Sequence, residues 1–177
     1  MKKRHYLLTL FIISQAYCFS QQTQVLNNFT LNNKEIIWQK VFEKDSLNIT
    51  LITNNVLSKF PVQFLNTTNS NITFQIKDDL VDFKKYGGSW GTTLIFIQLP
   101  LSYFVSIDVK TDRYRVTIHN ITAKVPNDLI STYLVDIATK NKASEFSTNK
   151  VVLKGLSYLD QYLVDKFTIS LEASSVW

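Results

Sequence analysis

From Tyr103 to Ile121 the chain alternates apolar and polar residues on either side of one short polar break. Tyr103, Val105, Ile107 and Val109 alternate with Phe104, Ser106 and Asp108, and after Lys110 to Arg113 the residues Tyr114, Val116 and Ile118 alternate with Arg115, Thr117 and His119. Facing residues on antiparallel strands point to the same side of a sheet. The pattern therefore predicts a hairpin that pairs Val109 with Tyr114, Ile107 with Val116 and Val105 with Ile118 on its buried side. The outer side then pairs Asp108 with Arg115, Ser106 with Thr117 and Phe104 with His119.

Weaker periodicities surround it. Ile36, Trp38 and Phe42 share one parity within Glu35 to Glu43, as a strand with one buried face requires, although Lys40 breaks that face. Asp45-Ser46 can cap a helix carrying Ile49, Ile52, Val56 and Phe60, ended by Pro61; Leu47, Ile49 and Leu51 also alternate, so a strand competes with the favoured helix. Ile72, Phe74 and Ile76 predict another strand, followed by a charged stretch to Tyr86 and a glycine turn from Gly87 to Gly91. Thr92 to Leu99 is apolar on both parities, which predicts a central strand covered on both sides and closed by Pro100. Asn127-Asp128 can cap a helix through Leu129, Ile130, Tyr133, Leu134 and Ile137. Leu156, Leu159, Leu163 and Phe167 step by three or four residues, so Gly155 is expected to open an amphipathic helix that packs on the sheet.

The N-terminus changes how composition is read. Lys2, Lys3 and Arg4 precede an apolar stretch from Tyr6 to Ile13 and a small-residue exit at Ser20, the layout of a secretory signal peptide over residues 1–20. Ser14 and Gln15 interrupt the apolar run well short of the roughly 20 residues that a membrane-spanning helix needs. Cleavage after Ser20 makes Gln21 the new terminus; the alternative is a lipoprotein signal in which Cys18 is acylated, with bulky Tyr17 against it. Cys18 is the chain's one cysteine, so simple cleavage leaves no disulfide and no thiolate metal site. Losing Lys2, Lys3 and Arg4 also lowers the net charge from +5 to +2. Nucleic-acid binding needs a concentrated basic face, and the Lys84-Lys85 doublet beside Asp78, Asp79 and Asp82 reads instead as a solvated loop. Residues 21–34 read as an N-terminal tail and 35–177 as one domain. Asn-x-Ser/Thr triplets at Asn28, Asn48, Asn66, Asn71 and Asn120 follow from an asparagine-rich composition.

The run VSIDVKTDRYRVTIHNI, from Val105 to Ile121, resembles the polar-turn, Arg-Tyr-Arg, Thr-Ile, Asn-Ile hairpin of a family of secreted Bacteroidota proteins, a domain of unknown function with a TATA-binding-protein-like fold. The order of elements around it, over about Ile36 to Phe167, and the leader ending Phe-Ser-Gln-Gln are similar to that family as well. The family's usual early-helix Trp and Asp-Gly-type turn are not evident in this chain. The resemblance implies an α+β fold, a curved antiparallel sheet with helices packed on one face, and a compartment outside the cytoplasm. It implies no catalytic residues.

Candidate chemistry is sparse. Gly87-Gly88-Ser89-Trp90-Gly91 matches Gly-x-Ser-x-Gly, and Ser89, Asp108 and His119 follow in the order of an α/β-hydrolase triad. Yet a nucleophile elbow passes from strand to helix, whereas Gly91 precedes a β-branched run. The hairpin register also sets Asp108 four residues along the strand from the partner of His119, roughly 13 Å at ~3.3 Å per residue. Outside the leader His119 is the one histidine, and no zinc or calcium spacing accompanies it. No Asp or Glu pair stands out for glycoside chemistry. These patterns predict no enzyme, no catalytic residue, no metal and no cofactor. The expected function is a secreted or periplasmic binding or interaction domain, with Trp90, Phe104 and His119 as its possible binding surface and a protein or small apolar ligand as its partner. Alternatives are a carrier of small apolar ligands in the sheet-helix cleft and a hydrolase using Ser89.

Overall fold

A computed structural model describes residues 23–125 and 131–169; the leader, Cys18 and the Asn127 to Ile130 part of the expected helix lie outside them. An open, antiparallel sheet organises the chain. Its strands are β1 (Gln24–Leu26), β2 (Phe29–Asn32), β3 (Glu35–Glu43), β4 (Val62–Thr67), β5 (Asn71–Asp79), β6 (Leu101–Val109) and β7 (Arg113–Lys124), ordered β1-β2-β3-β7-β6-β5-β4, with β8 (Ser131–Tyr133) pairing the far end of β7. Helix α1 (Ile49–Lys59), a short α2 (Leu134–Ala138) and α3 (Lys150–Phe167) complete it, with a ribbon of β9 (Thr139–Lys140) and β10 (Glu145–Phe146). The α+β class with an antiparallel sheet is the one expected.

The central hairpin has the predicted register. Val109 faces Tyr114, Ile107 faces Val116 and Val105 faces Ile118, with Asp108–Arg115, Ser106–Thr117 and Phe104–His119 on the other side. Alternation narrowed the choice to registers that bury both apolar rows, and the tightest turn among them is the one formed. β3 then adds to β7 with Trp38 opposite Ile118 and Phe42 opposite Tyr114, and β5 adds to β6 with Phe74 opposite Val105.

Helices cover one side of this sheet. Ile52 and Val56 of α1, and Leu156, Leu159, Leu163 and Phe167 of α3, are buried in one core with Trp38, Phe74, Tyr103 and Ile118 of the strands. Each such side chain, fully buried, contributes about 1.5–3 kcal/mol. Polar ties fix α3 over the core: Trp38 Nε1 and Asn28 Nδ2 each donate to Asp160 Oδ1 at 2.7 Å, and the Tyr114 hydroxyl donates to the Phe167 carbonyl at 2.8 Å.

Several local expectations change. The strand expected over 92–99 is a loop with a 3-10 turn at Ile95–Gln98, and Ile95 is 71% exposed. An apolar run without alternation does not choose between a two-sided strand and a turn that buries Phe96 and Ile97 while exposing Ile95. Tyr133 belongs to β8, and the helix that follows covers only Leu134–Ala138. Asn48, not Asp45-Ser46, caps α1, accepting from the Leu51 N–H at 2.8 Å. Gly155 does not open α3, which starts at Lys150 behind an Asn149 cap. Gly155 instead lets Leu94 pack against the helix, since a Cβ there would lie 2.7 Å from the Leu94 Cβ. Within the expected tail, β1 and β2 extend the sheet, burying Phe29 and Leu31. Edge strand β4 had no apolar alternation to announce it, because most of it is exposed.

Candidate functional site: the open face of the sheet

Strand residues that alternate with the core ones form the second face, and none of them is fully buried. Register sets them in rows. Gln39, Thr117, Ser106, Thr73 and Asn66 stand opposite one another across β3, β7, β6, β5 and β4. At ~4.8 Å between strands this uncharged row is roughly 19 Å long. A second row runs His119, Phe104, Gln75, Gln63, and a third runs Val41, Arg115, Asp108, Asn71.

Two of the three expected surface residues meet here. The rings of Phe104 and His119 lie 5.7 Å apart, 20° from parallel, and His119 Nδ1 is 3.7 Å from the Glu35 carboxylate. Trp90 does not join them. It sits in the loop after Gly87, edge-on to the buried Phe83 at 5.0 Å with Lys84 Nζ 5.1 Å from its ring centre. That loop is tied to α3 by the Tyr158 hydroxyl, which donates to the Gly87 carbonyl, so Trp90 belongs to the helix side.

Ser89 lies in the same loop. Its hydroxyl pairs with Thr92 Oγ1 at 2.7 Å, and its N–H donates to Thr93 Oγ1. Gly87, at φ +86°, takes the left-handed turn that glycine adopts without strain. The loop leads into a turn and β6, not into a helix. His119 lies on the opposite side of the sheet from this loop, and Asp108 is held by Arg115 Nη2 at 2.7 Å and Asn71 Nδ2 at 2.8 Å. The Arg115 hydrogen bond, opposed by partial burial and aided by Asn71, holds the Asp108 carboxyl below its ordinary value. Ser89, Asp108 and His119 are thus not brought together. Among the described residues no group of three or more His, Cys, Asp or Glu is placed to hold a metal ion.

Two solved structures are similar to this chain. One is a TBP-like protein from Parabacteroides distasonis, at 15% identity over 77% of this chain and 92% of that one, with a TM-score of 0.48. The other is a DUF4468 family protein from Bacteroides ovatus, at 11% identity over 86% of each chain, with a TM-score of 0.47. No family model matches the sequence, and no curated protein matches it.

Three features of the structure carry no clear sequence signal. Phe64 stands in a β-bulge of β4, between Gln63 and Asn66, with φ +53° and 77% of its surface exposed. A left-handed backbone costs an L-residue about 1–2 kcal/mol, and a bulge re-aims the side chain it carries. Elsewhere, Asp79 was expected in a solvated loop but is drawn under α3. It accepts from Lys166 Nζ, the Tyr103 hydroxyl and, at 2.7 Å, the Tyr162 hydroxyl. Burial first, and then the Asp79 carboxylate, push the Tyr103 and Tyr162 phenols above their ordinary values. With every partner bonded, this cluster reads as a tie between sheet and helix. Third, an apolar cleft of about 520 Å³ opens beside the Gly91 to Leu99 loop, where Leu94, Ile95, Phe96, Ile137 and Val151 meet the hydroxyls of Thr92 and Thr132. Among the described residues no helix is long and apolar enough to cross a membrane.

Proposed function

We propose that this chain is a secreted or periplasmic, non-enzymatic binding domain whose ligand surface is the open face of the sheet, with Phe104 and His119 in it. The uncharged row across five strands carries this reading: the face has no element packed on it among the described residues, and its hydroxyl and amide groups are aligned by the sheet itself. The leader supports export, and the separation of Ser89 from His119 argues against hydrolysis. Replacing Ser106 with a photo-crosslinking residue, in protein exported by the producing cell, tests the surface. Adducts at Ser106 that disappear with Thr117→Arg, and that do not form from the same probe at Gln161 on α3, are expected. Equal capture at both positions overturns the reading, and so does Ser89-dependent turnover of ester, peptide or glycoside substrates. N-terminal sequencing should start at Gln21; an acylated Cys18 would replace simple cleavage by a lipid anchor.

The apolar cleft favours a second reading, a carrier of a small apolar ligand. Its volume lies within the ~300–1,000 Å³ of ordinary ligand sites, and apolar walls with a few hydroxyls are the usual lining of such sites. The cleft lies at the rim of the Gly91 to Leu99 loop; the space between sheet and α3 is filled by the core. Extraction of the purified protein followed by mass spectrometry separates the two: a stoichiometric lipid, lost with Ile95→Lys, supports carriage.

A further inference from the structure

We propose that the part of the open face between Phe104 and Phe64 binds a neutral carbohydrate chain. This deepens the open-face reading and rests on it. Between the two rings lie Gln63, Asn66, Thr73 and Gln75, paired Gln75 to Gln63 and Thr73 to Asn66 across β5 and β4. Among the described residues none of these four side chains makes a hydrogen bond, whereas the neighbouring polar groups do: Gln39 donates to Thr117, and Asn71 to Ser106 and Asp108.

The chemistry of these four groups selects the ligand. A primary amide or a hydroxyl both donates and accepts, as a sugar hydroxyl does, while a carboxylate only accepts and an ammonium only donates. The negative face of an aromatic ring attracts the weakly positive C–H face of a pyranose. Phe104 and the rim residue Phe64 are on strands two apart, about 10 Å, a span that a short oligosaccharide bridges.

Charge points the same way. Arg115 is paired with Asp108 and His119 lies beside Glu35, while Lys77 Nζ sits 5.8 Å from the Phe64 ring centre. Lys77 is thus a single cation at the rim beside Phe64, with no carboxylate partner among the described residues, and one ammonium is not the phosphate-binding array that a polyanion engages. A protein interface would want a contiguous apolar centre, and here amides separate the rings. Phe64 adds to the patch an aromatic ring that a β-bulge holds in solvent.

Side-chain amide resonances of Gln63, Asn66 and Gln75 report binding directly. Titration with neutral hexasaccharides of glucose, mannose, xylose and galactose should shift them saturably for at least one sugar. Phe64→Gly, which keeps the left-handed turn without strain, and Gln75→Ala should each weaken that binding tenfold or more. Gln161→Ala, on α3, should leave it unchanged. The proposal is overturned if no neutral hexasaccharide moves these resonances, if Phe64→Gly and Gln75→Ala bind as the wild type does, or if only a sulfated hexasaccharide binds. Capture of a protein by the Ser106 probe without any response to sugars overturns the carbohydrate assignment and leaves the open-face reading standing. Failure of both experiments removes both.

Discussion

On β6, Tyr103, Val105 and Ile107 are buried under the helices, while Phe104, Ser106 and Asp108, one residue along each time, face outward. Both sets share one backbone and one register, yet they meet different demands. Toward the helices, each carboxylate gathers several donors: Asp79 accepts from Lys166, Tyr103 and Tyr162, and Asp160 from Trp38 and Asn28. Burial leaves those atoms little access to water, so they find partners in the chain. On the open face, Gln63, Asn66, Thr73 and Gln75 are left without a side-chain partner among the described residues because water serves them. The polar groups of the covered face hold the fold, and those of the open face are available to a ligand.

If that contrast is right, the largest effect belongs to Asp79→Ala. It strands the Lys166 ammonium, whose side chain is 13% exposed, together with two phenols. A loss of about 3–5 kcal/mol is expected in urea unfolding, against at most ~0.5 kcal/mol for Thr117→Ala on the open face. Similar losses for the two variants would break the comparison.

A smaller effect is expected from Trp38→Phe, which keeps an aromatic ring in the core but removes the Nε1 donor to Asp160. Hydrogen bonds to charged groups are worth about 1.5–3 kcal/mol, and the thermal midpoint should fall accordingly. An unchanged midpoint would show that Asn28 alone satisfies Asp160.

Arg115→Met should matter less than either core variant. Its ion pair with Asp108 is half-exposed and screened by solvent, worth at most ~1 kcal/mol. Because Asp108 titrates below its ordinary value in the folded chain, the stability it contributes is present above the unfolded carboxyl's pKa of about 3.9. That stability is lost as pH falls through the lower, folded value. The variant should raise the Asp108 pKa, seen by carboxyl NMR titration, and flatten this acid-side loss. A pKa that stays where it was would assign the shift to Asn71 instead.

Much of this contrast is visible in the residues from Tyr103 to Ile121. Alternation there specified two strands, their register and the Phe104–His119 pair on one face. The same alternation placed Ile36, Trp38, Ile72, Phe74 and Ile76 on the core side, and helical spacing placed Leu156 to Phe167. Failures occurred where periodicity vanishes: Thr92 to Leu99 is apolar throughout, β4 is exposed and polar, and β1 and β2 are too short to show a period. Trp90, an aromatic like Phe104 in composition, could not be assigned to a face from a loop. The Asp79 cluster escaped because Asp79, Tyr103, Tyr162 and Lys166 are dispersed along the chain and become neighbours only when α3 docks on the sheet.

By itself, then, the order of residues determined the central hairpin with its register and the helix that covers it. These follow from local steric and hydrophobic periods, which act between residues close in sequence. Tertiary structure decided which polar groups are locked in pairs and which, among the described residues, are not, that Ser89 and His119 belong to opposite sides, and that Phe64 stands at the rim of the open face. Those outcomes depend on strand order and helix docking, and hence on contacts between residues that no local pattern joins.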